Sequence, residues 1–129
     1  MKTKYLIVIA DYYEDIAKGL LESTLKLIPK SYLIKIIRVP GVFEIPVTIS
    51  KNIKKFDAFI ALGCVIKGET PHFDFISQVS TNAIMHLSIT NKKPIGNGII
   101  TCLNMRQAKT RKKKGTEAAK AVISVLSQK

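Results

Sequence analysis

The sequence predicts an α/β fold, a three-layer αβα sandwich around a central four-stranded parallel sheet. Four apolar runs rich in β-branched residues recur along the chain, as expected for strands that are buried on both faces. Helix-length segments separate them, and a strand, a long crossover and a second strand form a right-handed βαβ unit. A length of 129 residues suits one domain, residues 1–129.

The elements follow in order along the chain. Strands are predicted at residues 5–10, 32–39, 57–65 and 94–101. After the first strand, a helix is predicted whose apolar residues share one face: Ile16, Leu20, Leu21, Thr24, Leu27 and Ile28. Glu44 is predicted to begin a helix after the second strand. Residues 71–89 form the next, with an apolar face at steps of four: Phe75, Val79, Ala83 and Leu87. The last helical region is basic.

Composition limits the classes of function. The formal net charge is +12, but only three of the 21 basic residues are arginines, and no aromatic residues alternate with the RKKK run at 111–114. This pattern indicates a solvated lysine-rich surface, so nucleic acid is not the expected partner. The apolar run at 5–10 is too short for a signal peptide or a membrane span, which predicts a cytoplasmic protein. Cys64 and Cys102 lack metal-ligand spacing and are predicted to be buried free thiols.

Ligands of such folds bind beyond the carboxyl ends of the strands. Tyr12 follows the first strand, where it could stack on a flat heterocycle or pack as a half-buried lid. Phe43 and Glu44 follow the second strand. Phe43 offers either a second aromatic face or a core side chain, and Glu44 suits a helix N-terminus with or without a ligand.

The third strand is followed by the segment GETPHFD, residues 68–74. Thr70 stands where a helix N-cap belongs, and Pro71 suits the first helical position. The free N–H groups of this helix start form a natural site for a phosphate or carboxylate. His72 lies beside it and is therefore a candidate for acid–base chemistry.

The fourth strand carries GNG at 96–98, which lacks the spacing of a dinucleotide fingerprint, and the chain has no Walker sequence, G-x-S-x-G elbow or metal-binding carboxylate cluster. The inventory that remains suits an acid–base enzyme that acts on a flat ring and a phosphorylated partner.

Three motifs carry a resemblance to a known family: GVFEIP (41–46), ALGCVIKGETPHFDF (61–75) and the tail of GIITCLNMRQAKTR (98–111). Over essentially the whole chain, the sequence resembles 6,7-dimethyl-8-ribityllumazine synthase. The resemblance implies a flavodoxin-like fold and a transferase of riboflavin biosynthesis. Its reaction condenses 5-amino-6-(D-ribitylamino)uracil with 3,4-dihydroxy-2-butanone 4-phosphate and releases phosphate and water, without cofactor or metal.

The resemblance also assigns roles by motif. It gives proton transfer to His72 and phosphate binding to Glu69, Thr70 and, from a neighbouring subunit, Arg111. It places the pyrimidine and the ribityl chain against one group of residues: Tyr12, Val42, Phe43, Glu44, Cys64, Val65, Ile66 and Asn97. It implies a homopentamer as the smallest assembly, with decamers and 60-subunit icosahedral shells as larger ones.

The chain departs from the family pattern at several points. Lys67 replaces a common arginine, and Asn97 stands where many members have a bulky apolar residue. The segment KKKG after Arg111 is shorter than the usual loop, and only Met1–Lys4 precede the first strand. Two alternatives stay open: an archaeal-type riboflavin synthase, which is similar in fold, and a non-catalytic basic shell or binding protein on the same fold, to which Asn97 and the shortened loop point.

Overall fold

The computed structural model describes residues 3–68 and 72–128. All the predicted strands are present: β1 (Lys4–Ala10), β2 (Leu33–Val39), β3 (Ala58–Ile66) and β4 (Ile95–Cys102). They form one sheet in the order β2-β1-β3-β4, and every pairing is parallel. This is the strand order of flavodoxin-like sheets, so the predicted fold class is confirmed.

Helices cover both faces of the sheet. They are α1 (Glu14–Leu25), α2 (Ile45–Lys51), α3 (His72–Asn91), α4 (Met105–Arg111) and α5 (Gly115–Leu126), with a 3-10 turn at Val42–Glu44 before α2. Helices α1, α4 and α5 lie on one face of the sheet, and α2 and α3 lie on the other. The basic last helical region is therefore divided in two by a short turn, residues 112–114.

Strand β1 shows why the apolar runs are continuous. Its odd-numbered side chains from Tyr5 to Ile9 pack under α1 and α5, and its even-numbered ones from Leu6 to Ala10 pack under α2. None of these side chains is more than 4% exposed. A strand whose alternate faces are both buried has no polar position, so its sequence reads as an unbroken apolar run.

The apolar face of α1 agrees with the prediction. Ile16, Leu20 and Thr24 are buried against the sheet, while Leu21 and Leu27 are partly buried beside them. The helix ends at Leu25, and Ile28 is buried beyond it.

The predicted apolar face of α3 is wrong in part. Phe75 and Val79 are 64% and 51% exposed, whereas Ser80 and Ile84 are buried. A step of four residues turns about 40° beyond one full turn of an α-helix, so a row at steps of four drifts around the axis. The row that begins at Phe75 starts on the outer face and reaches the sheet only near Leu87, which packs in the core beside Ile84.

Both cysteines are buried and free, as predicted. Among residues 3–68 and 72–128, no helix is both long and apolar enough to cross a membrane.

Candidate active site

A cavity of about 630 Å³ opens at the carboxyl ends of β1, β2 and β3. Flavodoxin-like sheets bind their ligands at this edge, where the chain reverses its direction of winding. The cavity is lined by Tyr12, Tyr13, Gly41, Val42, Phe43, Glu44, Cys64, Val65, Ile66, His72 and Ile76. It thus contains His72 and every residue predicted for the pyrimidine and ribityl side except Asn97.

The turn after β2 directs Phe43 into the cavity. The side chain of Val42 is only 6% exposed and packs in the core under α2. The N–H of Glu44 donates to the carbonyl of Gly41 at 3.2 Å and closes the 3-10 turn. Because Val42 occupies the core position, the next side chain points outward, and Phe43 is 61% exposed. The alternative that Phe43 enters the core is therefore wrong.

Two tyrosines form the wall after β1. The ring of Tyr12 is 75% exposed, whereas Tyr13 is half-buried against the core. The two rings meet edge to face, with centroids 4.9 Å apart and an interplanar angle of 83°, a favourable geometry for aromatic pairs. The half-buried position considered for Tyr12 thus belongs to Tyr13, and the Tyr12 ring is left accessible.

His72 is the first residue of α3, and its exposed side chain lines the cavity. The helix start was predicted at this place from Thr70 and Pro71. Those two residues, together with the predicted phosphate-binding Glu69, lie outside the described residues.

Cys64 contributes a neutral wall to the cavity. Burial raises the pKa of its thiol from 9.0 to about 12, with smaller contributions from the charge of Cys102 and from a hydrogen bond to that second thiol. The Cys64 thiol therefore stays protonated at neutral pH, where it can pack against a ligand but is a poor nucleophile.

This pKa makes a prediction for stability at alkaline pH. Above pH 9 the unfolded thiol ionises while the folded thiol, with its pKa near 12, does not. Ionisation then favours the unfolded chain, so Cys64 should lower the free energy of unfolding by at most about 1.4 kcal/mol per pH unit between its two pKa values. Denaturant titrations from pH 8 to 11 should show a shallower decline for Cys64→Ala than for the wild type.

Burial also raises the pKa values of Tyr5 and Tyr13, and both tyrosines are present in each protein. The charge of Cys64 contributes to the raised pKa of Tyr13, so the difference in slope reports Cys64 together with its effect on Tyr13. Equal slopes in the two proteins would contradict the assignment.

Asn97 and Arg111 lie in a second, smaller cleft beside the edge strand β4. Asn97 Oδ1 accepts a hydrogen bond from the N–H of Ile99 at 3.0 Å, and Arg111 Nη1 donates to the carbonyl of Thr101 at 3.4 Å. Lys114 and Glu117 complete the charged lining and form an ion pair at 3.0 Å. The cleft and the cavity have no lining residue in common. Within one chain, the structure does not bring Asn97 and Arg111 to His72.

Sequence reasoning missed several lining residues. Tyr13 and Ile76 line the cavity, and Lys114 and Glu117 line the cleft. Lys114 lies three residues after Arg111 and Glu117 lies six residues after it. This spacing was the available signal, because successive steps of three stay near one side of a helix or a 3-10 turn. No signal singled out Tyr13, because Tyr12 beside it already supplied an aromatic residue beyond the carboxyl end of β1.

The cavity combines exposed aromatic surface with one carboxylate, Glu44, and one imidazole, His72. Across the described ranges, no group of three or more His, Cys, Asp or Glu side chains is placed to hold a metal ion. The side chains present can stack on a flat ring and exchange protons with it.

Comparisons with known proteins agree on one family. The family model for 6,7-dimethyl-8-ribityllumazine synthase matches residues 2–129. The chain is 41% identical to 6,7-dimethyl-8-ribityllumazine synthase 1 of Rhodopseudomonas palustris, covering 95% of this chain and 83% of the relative. It is 40% identical to the synthase of Agrobacterium fabrum, over 99% of this chain and 95% of the relative. The synthase of Cutibacterium acnes is 38% identical, over 96% of this chain and 80% of the relative.

Proposed function

Because the chain belongs to the 6,7-dimethyl-8-ribityllumazine synthase family, we propose that its cavity is one half of an active site completed by the β4 cleft of a neighbouring copy. The protein is a transferase of riboflavin biosynthesis that condenses 5-amino-6-(D-ribitylamino)uracil with 3,4-dihydroxy-2-butanone 4-phosphate. The relatives carry the name of this synthase, which favours it over an archaeal-type riboflavin synthase and over a non-catalytic shell protein.

The observation that carries the proposal is the separation of two sets of residues. Residues from the GVFEIP and ALGCVI motifs and His72 converge on one cavity, whereas Arg111 and Asn97 lie together elsewhere on the same chain. A reaction with two substrates needs both sets at one place. Two copies related by rotation bring the cavity of one against the cleft of the other, as a heterologous ring interface does.

We assign the pyrimidine to the aromatic wall of the cavity. The open face of Tyr12 and the exposed ring of Phe43 offer stacking surface, and stacking uses the flat ring without any change in charge. Cys64, Val65 and Ile66 form the end of β3 beneath it. The carboxylate of Glu44 can accept hydrogen bonds from the ribityl hydroxyl groups.

We assign proton transfer to His72. The amine of the pyrimidine adds to the ketone and loses one water to form an imine, the imine loses phosphate, and ring closure with loss of a second water gives the lumazine. Each of these steps moves a proton, and an imidazole can both accept and donate one near neutral pH. The position of His72 at the cavity mouth, on the first turn of α3, supports this role.

We assign the phosphate group to Arg111 of the neighbouring copy, together with Glu69 and Thr70 of the first. A guanidinium binds phosphate with paired hydrogen bonds and stabilises the charge that develops as the group leaves. Asn97 would lie near the pyrimidine from the same neighbouring copy and would make that wall more polar.

The surface supports a homo-oligomer, which we propose to be built on a pentamer. Helix α3 exposes Phe75, Val79, Met85 and Ile89. These positions lie within an arc of about 120° on the outer face of α3, among the exposed polar side chains of Gln78, Asn82 and His86. Exposed apolar side chains grouped in this way favour a protein–protein contact. We also propose a cytoplasmic location, because both cysteines are free and reducing compartments keep them so.

The proposal can be tested by mixing two defective proteins. His72→Ala and Arg111→Ala chains should each be impaired, but hybrid oligomers contain sites that combine the intact cavity of one with the intact cleft of the other. In a random one-to-one ring, about a quarter of the sites are intact, so activity should recover to about that fraction of wild type. The assay follows lumazine absorbance and phosphate release.

The matched control mixes His72→Ala with the double variant His72→Ala/Arg111→Ala, which cannot form an intact site and should show no recovery. If the first mixture also stays inactive while both chains exchange subunits, His72 and Arg111 do not act across an interface.

A further inference from the structure

The turn between α4 and α5 has two sides with different surroundings. Arg111, Lys114 and Glu117 line the cleft beside β4. Lys112, Lys113 and Thr116 line a groove on the opposite side, against α1. One short basic segment therefore divides its side chains between a proposed phosphate site and the surface of α1.

Lys112 contacts α1 through both its side chain and its main chain. A Cβ atom built on Gly19 would come within 2.8 Å of Lys112 Cγ and Cδ, so the lysine stem lies directly over this glycine. Its Nζ is 3.7 Å from Asp15 Oδ2, and its carbonyl lies 3.5 Å from Ser23 Oγ. A stem packed over a glycine leaves few alternative rotamers for the side chain.

The first residues of α5 pack directly against α1. A Cβ atom on Gly115 would overlap the carbonyl oxygen of Leu20, so only glycine fits there. Next to it, Thr116 Oγ1 donates to the carbonyl of Ser23 at 3.1 Å. The turn is thus held against α1 on both sides of Lys114.

We propose that α1 positions the phosphate-binding side of this turn, with Gly19 as the seat and Lys112 as the positioning residue for Arg111. The inference rests on the proposed function of Arg111. Consecutive lysines repel one another, and a three-residue turn of long side chains has many conformers. With Lys112 held on α1, the flanking side chains of Arg111 and Lys114 are restricted to the cleft side, and less ordering is needed when phosphate binds.

The test measures phosphate affinity in variants that alter the seat. In Gly19→Ala the new methyl group displaces the Lys112 stem, and in Lys112→Ala the stem is removed. For each, the KM for 3,4-dihydroxy-2-butanone 4-phosphate and the inhibition constant of inorganic phosphate should rise about fivefold, while the KM for the pyrimidine stays within about twofold. Alanine is the stronger helix former, so Gly19→Ala is not expected to destabilise α1 itself. An unchanged melting temperature for this variant then shows that its loss of phosphate affinity does not come from unfolding.

Two comparisons decide the result. Lys113→Ala removes the same charge from the adjacent position and should leave phosphate affinity near wild type. The double variant Gly19→Ala/Lys112→Gly should be no weaker than Lys112→Gly, because glycine at 112 removes the Cβ, Cγ and Cδ atoms that a Cβ on Gly19 would meet, so both changes act through one contact. Additive effects, or an equal loss in Lys113→Ala, would overturn the positioning role.

Arg111→Ala separates this inference from the proposed function. If Arg111→Ala weakens phosphate binding and Lys112→Ala does not, only the positioning role is overturned. If Arg111→Ala leaves the inhibition constant of phosphate unchanged, the phosphate assignment is wrong and the positioning role falls with it.

Discussion

Replacement of His72 with alanine is expected to lower kcat by about 10²–10⁴-fold, the usual contribution of a positioned general acid–base group. The enzyme should be slow and still active, because holding the two substrates together supplies much of the rate enhancement. The KM of each substrate should change little, since the imidazole is assigned to proton transfer and not to binding. Steady-state kinetics with both substrates varied in turn measure the three parameters.

The chain supplies its own control, since it contains only two histidines. His86 is exposed on α3 and does not line the cavity. His86→Ala removes the same kind of side chain from the same helix and, where light scattering shows the wild-type oligomeric state, should retain wild-type kcat. Full activity in His72→Ala would exclude the proton-transfer role.

Replacement of Arg111 with alanine is expected to raise the KM for 3,4-dihydroxy-2-butanone 4-phosphate by about 10–100-fold. A hydrogen bond to a charged group contributes about 1.5–3 kcal/mol, and about 1.4 kcal/mol corresponds to a factor of ten in affinity. The KM for the pyrimidine should stay within a few-fold of wild type, because the two substrates bind to different residues. Initial rates over a matrix of both substrate concentrations separate the two constants.

Arg106→Ala is the matched control for Arg111→Ala. Arg106 is exposed on the same helix, α4, but does not line the cleft. Arg106→Ala removes the same charge from a nearby position on the helix. It should have a small effect on the KM for 3,4-dihydroxy-2-butanone 4-phosphate, especially in buffers of moderate ionic strength. Arg111→Lys should recover only part of the affinity, because an ammonium group lacks the planar fork of the guanidinium. Equal losses in both alanine variants would show that net charge, and not Arg111, determines phosphate affinity.

Most of the fold could be predicted from the sequence because buried parallel strands leave a strong local signal. In a strand, a continuous apolar run such as YLIVIA places apolar side chains on both faces, so both faces must be buried. Strand β1 is buried in this way. Helix existence was equally clear, but helix orientation was not. In α3 the apolar residues outnumber the positions that face the sheet, so the pattern could not distinguish the buried Ile84 from the exposed Phe75.

The candidate site was predictable where a motif fixes a position and unpredictable where packing decides. The motif placed Phe43 beyond β2, but only the burial of Val42 determines that Phe43 faces the cavity. Tyr12 and Tyr13 are adjacent and chemically alike, and three-dimensional packing alone decides which ring is covered. The separation of Arg111 from His72 also depends on the arrangement of α4 relative to the sheet, which no local pattern encodes.

The hydrogen bonds made by Asn97 and Arg111 have a consequence for solubility. Strand β4 has a paired neighbour on one side only, and an uncovered edge can recruit a strand from another molecule and start aggregation. Here the amide side chain of Asn97 engages the Ile99 N–H, and the guanidinium of Arg111 engages the Thr101 carbonyl. An incoming strand would have to displace both hydrogen bonds before it could pair with β4. These two side chains therefore also oppose aggregation through the edge of the sheet.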